Sequence, residues 1–214
     1  MRVTLKLATS LDGKIATASG ESRWITGPEA REEVHRLRLT HMAVMVGVET
    51  AIADDPELTV RLPGKAIMAQ PVRIVLDSRQ RLPLSSKLVK DAGRVPTVVL
   101  TTLESNKRLT DAGVWVIRVS EREGRVDPEA ALAALEQLPL AAVMIEGGGQ
   151  VAASFLKWGL VDAIEWFRAP IVLGDEGRPA VATLALKDLA SAPRFQRTDV
   201  QSVGADLWER YERI

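Results

Sequence analysis

The stretch TGPEAREEVHRLRLTHMAVMVG, residues 26–47, joins a predicted helix to a predicted strand. Thr26 is the predicted cap and Pro28 falls in the first turn, which is the usual start of a helix. The residues that then recur at helical spacing are Ala30, Val34, Leu37 and His41. The run 43–47 is short and apolar and ends at glycine, which predicts a buried strand. This stretch therefore favours a fold in which helices and strands alternate.

The same alternation continues through the chain, with further strands predicted at 3–8, 58–60, 72–76, 97–100, 114–119, 141–145 and 163–172. Helices are predicted at 127–135 and 150–158. One side of the second of these helices carries Val151, Phe155 and Trp158. The region 13–20 is predicted to be a loop, and 194–203 with 207–213 a closing hairpin. We therefore expect one α/β domain over residues 1–214, with a central, mostly parallel mixed sheet flanked by helices and a C-terminal antiparallel hairpin.

Composition and charge limit the class of protein. Hydrophobic residues make up 46% and charged residues 26% of the 214 residues, as in ordinary globular proteins. Lysine plus arginine and aspartate plus glutamate each total 28, so we expect no general nucleic-acid binding. The lack of cysteine excludes disulfides and thiolate sites and fits a cytoplasmic protein. We find no apolar run of membrane length and no leader-like segment, so we expect no membrane partner.

Three glycines, Gly147, Gly148 and Gly149, follow a predicted strand and precede a predicted helix. Glycine lets the backbone approach a ligand closely, and the free amides of a helix N-terminus attract phosphate. The G-x-G-x-x-G spacing of a dinucleotide fingerprint is missing. A phosphate-binding turn and a purely structural turn are both compatible with this pattern.

Two charged residues are candidates for chemistry at a reducible group. Lys14 follows an apolar anchor and the turn at Gly13, and Glu146 precedes the glycine run. A lysine or carboxylate can hold or protonate an atom that gains electrons. The alternatives are a solvated turn lysine and an acid placed at a helix start, where the dipole favours it.

Arginine suits phosphate binding because its planar fork gives paired, charge-assisted hydrogen bonds. Arg38 lies on the polar side of the first helix, where a solvated helix surface is the alternative. Arg61 follows the short strand predicted at 58–60, where it could instead be a charge that guards a sheet edge. Trp24 lies in a polar loop and could cover a flat ring, although a core tryptophan is the commoner case.

No residue pattern predicts a metal site. Asp54 and Asp55 precede Pro56, which is typical of a turn with side-chain capping. The two histidines, His35 and His41, fall on different faces of one helix. We therefore expect no metal ligands.

Four blocks of the sequence resemble the reductase domain of the bifunctional riboflavin-biosynthesis deaminase-reductase family. They are Ser10–Ala16, Ser22–Pro28, Ala53–Arg61 and Glu146–Gly149, in the family's order, and the resemblance reaches Arg178. It implies a dihydrofolate-reductase-like fold, NADPH as cofactor, a small phosphorylated pyrimidine as substrate, and a homodimer.

The resemblance also implies roles for individual residues. Lys14 and Glu146 would hold the substrate ribose beside the nicotinamide, as catalytic residues. The implied substrate-binding residues are Ser22, Arg38, Leu58 and Arg61. The implied cofactor-binding residues are Ala8, Trp24, Thr50, Asp54, Ser78, Gly147, Gly148, Gly149, Gln150 and Val151.

The sequence departs from the family pattern in several places. The family's zinc deaminase domain, with H-x-E and P-C-x-x-C, is not found, so we expect a stand-alone reductase without zinc-dependent deamination. Ala163 replaces an acid and Ile171 a lysine, and Trp166 opens an unusual run that continues to Arg168. These differences could alter a dimer surface or the substrate mouth.

The expected reaction is NADPH-dependent reduction of the ribosyl group of 5-amino-6-(5-phosphoribosylamino)uracil to ribityl. The first alternative is the same reduction on the undeaminated diaminopyrimidinone. A dihydrofolate or other pterin reductase is the second, because a fold does not fix the substrate. The third is a non-catalytic nucleotide-binding module.

Overall fold

The structure, a computed structural model, describes residues 1–105 and 107–214. The chain forms two compact units: residues 1–2 and 35–144 make up the first, and residues 3–34 and 145–214 the second. The fold is mixed α/β, with a mostly parallel sheet, flanking helices and a C-terminal antiparallel hairpin, which confirms the predicted class. Within the described residues, no helix has both the length and the apolar character needed to cross a membrane.

The helices and strands have the following bounds. The helices are α1 Pro28–Thr40, α2 Val48–Asp54, α3 Lys87–Lys90, α4 Lys107–Asp111, α5 Pro128–Leu135 and α6 Gly149–Lys157. The strands are β1 Arg2–Thr9, β2 Lys14–Ala16, β3 Ala43–Gly47, β4 Val72–Leu76, β5 Thr97–Thr101, β6 Trp115–Arg118, β7 Glu121–Arg122, β8 Arg125–Val126, β9 Ala142–Glu146, β10 Ala163–Arg168, β11 Arg178–Pro179, β12 Phe195–Val203 and β13 Asp206–Arg213. A 3-10 turn at Leu189–Ser191 precedes the final hairpin.

The first unit contains four parallel strands in the order β3, β4, β5, β6. Ala43 pairs with Val72, and the register continues without a shift to Gly47 and Leu76. Every residue of β3 and β5 is buried, which explains why β3 and the centre of β5 are continuous apolar runs rather than alternating ones. β3 leads directly into α2, and Ser78 follows two residues after the end of β4. The start of α2 and Ser78 therefore lie at the carboxyl edge of the parallel strands.

A buried arginine in β4 stabilises the first unit. The Arg73 side chain is 0% exposed, and its Nη2 donates to the carbonyl oxygens of Leu88 at 3.1 Å and Val95 at 2.7 Å. Its Nη1 lies 3.7 Å from the Asp91 carboxylate. Burial lowers the pKa of Arg73 from its ordinary value, and Asp91 opposes that shift. Arg73 thus fixes α3 and the chain that follows it against β4.

The second unit combines an antiparallel hairpin with a parallel pair. β12 pairs with β13, β13 pairs antiparallel with β10, and β10 pairs parallel with β1. Phe167 of β10 stacks on Trp208 of β13, with ring centroids 5.1 Å apart. Offset aromatic pairs of this kind add to the free energy gained from burial.

Two of the predicted strands differ from the structure. Residues 58–60 are buried but form no strand, because Leu58 has a positive φ of 53° that breaks the extended conformation. The predicted strand 163–172 ends at Arg168, where Pro170 follows closely and cannot donate to a strand ladder. Residues 14–16, predicted as loop, form β2, which pairs with β11.

Two predictions about helix ends were also wrong. Gly27, not Thr26, occupies the cap position of α1, since its carbonyl accepts from Arg31 N at 3.2 Å. Its own amide donates to Asp206 at 2.7 Å. Trp158 is the residue after α6 and is 40% exposed, whereas the buried face of that helix carries Ala152, Ala153, Phe155 and Leu156.

Replacing Arg73 by methionine tests the role of the buried guanidinium. The change removes the guanidinium donor from two buried carbonyl oxygens and from Asp91, so we expect the free energy of unfolding to fall by about 1 to 3 kcal/mol. Arg94→Met is the matched control, because Arg94 also pairs with Asp91 but is 79% exposed. Exposed pairs contribute little, so the control should stay close to the parent protein. Equal effects of the two variants in urea unfolding would contradict this role.

Candidate functional site

Lys14 is the first residue of β2 and follows a tight turn over residues 10–13. Ser10 organises the turn: its Oγ accepts from Lys14 N at 2.9 Å and donates to Asp12 Oδ1 at 2.6 Å. Gly13 supports it with a positive φ of 76°. The Lys14 ammonium donates to the carbonyl oxygen of Asp175 at 3.2 Å. The lysine is half-buried, and its ammonium has a defined backbone partner.

Residues 171–182, which we call the strap, run along the Lys14 turn. The Ile171 carbonyl accepts from Leu11 N at 2.8 Å, and Ala180 N donates to the Gly13 carbonyl at 3.0 Å. β11, inside the strap, pairs with β2, so that Pro179 lies opposite Lys14. The strap therefore follows the turn on one side along its whole length.

Asp12 attaches the strap to the turn. Its Oδ1 accepts from Leu173 N at 3.1 Å, and its Oδ2 accepts from Gly174 N at 2.8 Å. The hydrogen bond from the Ser10 hydroxyl, together with those two amides, lowers the pKa of Asp12 from 3.8 to about 2. Asp12 belongs to the sequence block 10–16, but no sequence pattern indicates this role for it.

The glycine turn lies between β9 and α6. Glu146, the last residue of β9, is buried, and Gly147 and Gly148 have positive φ angles of 72° and 86°. Gly148 caps α6, and within the described residues no side chain caps that helix. The first amides of α6 are therefore arranged as at helix N-termini that bind phosphate. Exposed Gln150 and half-buried Val151 lie in the first turn.

The strap also contacts the glycine turn. Ala182 N donates to the Gly149 carbonyl at 2.9 Å. A Cβ atom added at Gly149 would lie 2.5 Å from the Pro179 carbonyl oxygen, so only glycine fits there without a shift of the backbone. The structure thus brings Lys14 and Gly149 into contact with the same segment. Half-buried Ala8 precedes the final residue of β1, just before the Lys14 turn.

Trp24 lies outside the core, in the loop before α1. Trp24 is 69% exposed, and the guanidinium carbon of Arg31 is 4.2 Å from the ring centroid. Arg31 also donates to the Thr26 carbonyl at 2.9 Å, which holds that guanidinium in place. Ser22 is half-buried in the same loop. An exposed, supported ring agrees with the predicted cover for a flat ligand and excludes a core tryptophan.

Arg38 and Arg61 belong to the first unit and both contact Thr59. Arg38 Nη1 donates to the Thr59 carbonyl at 2.8 Å, and Arg61 Nη1 donates to Thr59 Oγ1 at 2.9 Å. Arg61 is exposed and pairs with Glu57 at 2.9 Å. Because residues 58–60 form no strand, it does not guard the edge of a strand there. Leu58, predicted to contact substrate, is buried. A depression of about 450 Å³ beside this segment is lined by Val60, Arg61, Leu62, Pro63, Lys65, Ile67 and Gln70.

The other predicted cofactor residues of the first unit are polar and near strand ends. Thr50 is half-buried within α2, and Asp54 is exposed at the end of that helix. Ser78 Oγ accepts from Val126 N at 2.9 Å, and the Ser78 carbonyl accepts from Thr102 Oγ1 at 2.9 Å. Among residues 1–105 and 107–214, no group of three or more acidic or histidine side chains is placed to hold a metal ion.

Comparison with known proteins identifies the family. A family model described as the RibD C-terminal domain matches residues 1–208. This chain belongs to the RibD C-terminal domain family. It is similar to the riboflavin biosynthesis protein RibD of Aquifex aeolicus (strain VF5), with 39% identity over 208 residues, 96% of this chain and 56% of that protein. The RibD of Escherichia coli (strain K12) is 34% identical over 215 residues, which cover 96% of this chain and 58% of that protein.

Solved structures agree with this membership. RibD of Acinetobacter baumannii matches with a TM-score of 0.87 and 33% identity, over 100% of this chain and 58% of that one. A Thermotoga maritima structure, named a diaminohydroxyphosphoribosylaminopyrimidine deaminase/5-amino-6-(5-phosphoribosylamino)uracil reductase, matches with a TM-score of 0.83 and 28% identity, over 100% and 56% of the two chains. The chain thus spans a little over half the length of the RibD proteins it matches. The expected dihydrofolate-reductase-like fold is confirmed.

Gly149→Ala tests the close approach of the strap to the glycine turn. Because the added methyl would meet the Pro179 carbonyl oxygen, we expect the free energy of unfolding to fall by about 1 to 3 kcal/mol. Gly93→Ala is the control, since no heavy atom of the described chain, its own neighbours aside, lies within 4 Å of the Cβ it would add. Thermal and urea unfolding of both variants measure the difference. Equal stability of the two variants would contradict the close contact.

The lowered pKa of Asp12 predicts a pH dependence of stability. A carboxyl whose pKa is lower in the folded state stabilises that state above its unfolded value near 4, and this contribution disappears as the pH falls through about 2. The difference in unfolding free energy between parent and Asp12→Asn should therefore be constant above about pH 5 and shrink towards pH 2. Urea unfolding at pH 6, 4 and 2 measures it. A difference that persists unchanged at pH 2 would contradict the hydrogen-bonded carboxylate.

Proposed function

We propose that this chain reduces the ribosyl group of 5-amino-6-(5-phosphoribosylamino)uracil to ribityl, with NADPH as the reductant. The observation that carries the proposal is the shared strap, which contacts both the Lys14 turn and the glycine turn of α6. A cationic donor and a turn suited to phosphate are thereby held by one segment of the second unit. Membership in the RibD C-terminal domain family supports the same reaction.

The residues present fit a dinucleotide cofactor. Gly147 and Gly148 leave the backbone accessible, and the amides of Gly149, Gln150 and Val151 begin a helix without a side-chain cap among the described residues. These groups would hold the pyrophosphate. Trp24 would cover a ring, and the remaining cofactor contacts proposed are Ala8, Thr50, Asp54 and Ser78. When bound, the nicotinamide supplies the hydride.

The terminal phosphate of the substrate requires donors that can change partners. Arg61 is exposed, and its surface pair with Glu57 contributes little to stability, so phosphate can replace the carboxylate. We propose that Arg61, Arg38 and Ser22 bind this phosphate and that Leu58 contacts the substrate. The guanidinium of Arg38 is already held by its hydrogen bond to the Thr59 carbonyl. A fixed guanidinium loses less side-chain entropy when it binds.

Lys14 and Glu146 would act on the sugar. In the reaction a C–H bond forms at the anomeric carbon, the bond from that carbon to the ring oxygen breaks, and the ring oxygen gains a proton. The ammonium of Lys14, a donor of three hydrogen bonds, would hold this oxygen. Glu146, a buried carboxyl group at the end of β9, would orient the ribose through its hydroxyls.

The proposal extends to the organisation of the protein. The family model runs through both units, so we propose that residues 1–214 act as one reductase domain. A homodimer and a cytoplasmic location belong to the same proposal. Sedimentation at working concentration tests the dimer, and a monomer there would contradict it.

Loss of NADPH absorbance tests the reaction directly. The parent protein should oxidise NADPH with the aminouracil ribose phosphate, and Lys14→Ala should lower kcat by at least about 100-fold because the sugar oxygen loses its donor. The dissociation constant for NADPH should be unchanged in that variant. Lys187→Ala, which removes an exposed lysine far along the chain from the motif, is the matched control and should retain full activity.

The alternatives give different results in the same assay. Preference for the undeaminated precursor would move the substrate one step earlier, and turnover of dihydrofolate alone would identify a pterin reductase. Binding of NADPH without turnover on any pyrimidine would identify a nucleotide-binding module. Either of the last two results would overturn the proposal.

A further inference from the structure

The carboxylate of Asp12 connects two segments that are far apart in sequence. It accepts one side-chain and two backbone hydrogen bonds, from Ser10 at 2.6 Å and from Leu173 and Gly174 at 3.1 and 2.8 Å. Both of its oxygens are therefore used. The two backbone donors belong to the strap, and Asp175 is the next residue along it.

Asp175 provides the carbonyl oxygen that receives the Lys14 ammonium, at 3.2 Å. The strap packs against the stem of the same lysine, because a Cβ atom added at Gly177 would lie 2.9 Å from Lys14 Cγ. Gly174 has a positive φ of 84°, and its carbonyl accepts from Gly177 N at 3.2 Å. The short turn 174–177 is thus the part of the strap that defines where the ammonium lies.

We propose that Asp12 is a positioning residue for Lys14, a role that rests on the proposed function. Its carboxylate holds Leu173 and Gly174, and through them it fixes the Asp175 carbonyl that receives the ammonium. Asp12 touches neither reacting atom in this role. It holds the Lys14 ammonium in position for the sugar ring oxygen before the substrate binds.

An amide cannot replace the carboxylate at this position. Asparagine keeps one acceptor oxygen, and its NH₂ group takes the place of the other. If the NH₂ group replaces Oδ2, it faces the Gly174 amide, and if it replaces Oδ1, it faces the Leu173 amide. One of the two strap amides must therefore lose its partner. Since a displacement of about 1 Å in a reacting group can cost roughly 100-fold in rate, a small shift of the turn 174–177 is enough to lower turnover.

The test compares Asp12→Asn, Asp12→Glu and the matched control Asp188→Asn. Asp188 is an exposed aspartate that accepts from Ser191 Oγ at 2.7 Å and Ser191 N at 2.8 Å on a single oxygen, Oδ1. Asparagine keeps one acceptor oxygen, so the control makes the same change of charge without taking an acceptor from a backbone amide. We expect Asp12→Asn to lower kcat by about 10- to 100-fold, with KM for NADPH changed by less than about 2-fold. Asp12→Glu retains two carboxylate oxygens and should recover part of the rate. Asp188→Asn should behave as the parent.

A second readout does not depend on turnover. Lys14 is modified with an amine-reactive acylating reagent at limiting concentration, and the modified fraction is measured by mass spectrometry with Lys187 as internal reference. Release of the ammonium from Asp175 should raise the labelling rate of Lys14 several-fold in Asp12→Asn and leave that of Lys187 unchanged. Circular dichroism of each variant establishes that it is folded.

The two readouts separate this role from the reaction itself. If the parent shows no turnover but Lys14 is still labelled faster in Asp12→Asn, the proposed function is overturned. The contact by which Asp12 positions Lys14 is then retained. Unchanged labelling and unchanged kcat in a folded Asp12→Asn protein would overturn the positioning role. A fall in kcat that Asp12→Glu does not relieve, with labelling unchanged, would also overturn it, because the loss would then be structural.

Discussion

Parallel pairing of β1 with β10 is the constraint on which the arrangement of the second unit depends. Thr4 pairs with Ala163 and Thr9 with Arg168, so both strands end at the same edge. The chain that leaves β1 forms the Lys14 turn, and the chain that leaves β10 becomes the strap. Because the two segments begin side by side, the strap reaches Lys14 with short backbone hydrogen bonds. Ala169 N, two residues before the strap, donates to the Thr9 carbonyl at 2.8 Å, and the first bond of the strap itself joins Leu11 N to the Ile171 carbonyl at 2.8 Å.

The end of β10 matters as much as its pairing. Pro170 has no amide hydrogen and follows the last paired residue by two positions, so the ladder cannot continue. Trp166, one of the departures from the family pattern, donates from Nε1 to Thr9 Oγ1 at 2.8 Å and fixes the end of β1. This tryptophan therefore has a structural role in the second unit, beside the turn that carries the proposed catalytic lysine.

Local patterns predicted most of the fold because they reflect burial within one segment. The runs 43–47 and 72–76 match β3 and β4, and the hairpin predicted at 194–203 and 207–213 matches β12 and β13. β2 and β11 were missed because three- and two-residue strands show no measurable period. The segment 58–60 was predicted as a strand because apolar and polar residues alternate there, but Leu58 has a positive φ and these buried residues form no strand.

Only those parts of the candidate site whose chemistry is visible in a short sequence motif could be predicted. Lys14 and the glycine turn were found from short motifs, and the structure links them through the strap. Asp12 was missed because its two backbone partners lie about 160 residues downstream, and no local pattern indicates them. Arg38 and Arg61 were predicted individually, but no local pattern indicates their common contact with Thr59, which follows the positive φ at Leu58.

Isotope transfer tests the central claim that this chain reduces a sugar carbon. The protein is incubated with the aminouracil ribose phosphate and NADPH that carries deuterium at C4 of the nicotinamide, each diastereomer in turn. Mass spectrometry and NMR then locate the label in the product. We predict one deuterium at C1 of a ribityl chain, from one diastereomer. A product labelled on the pyrimidine ring, or no labelled product from either diastereomer, would contradict the account.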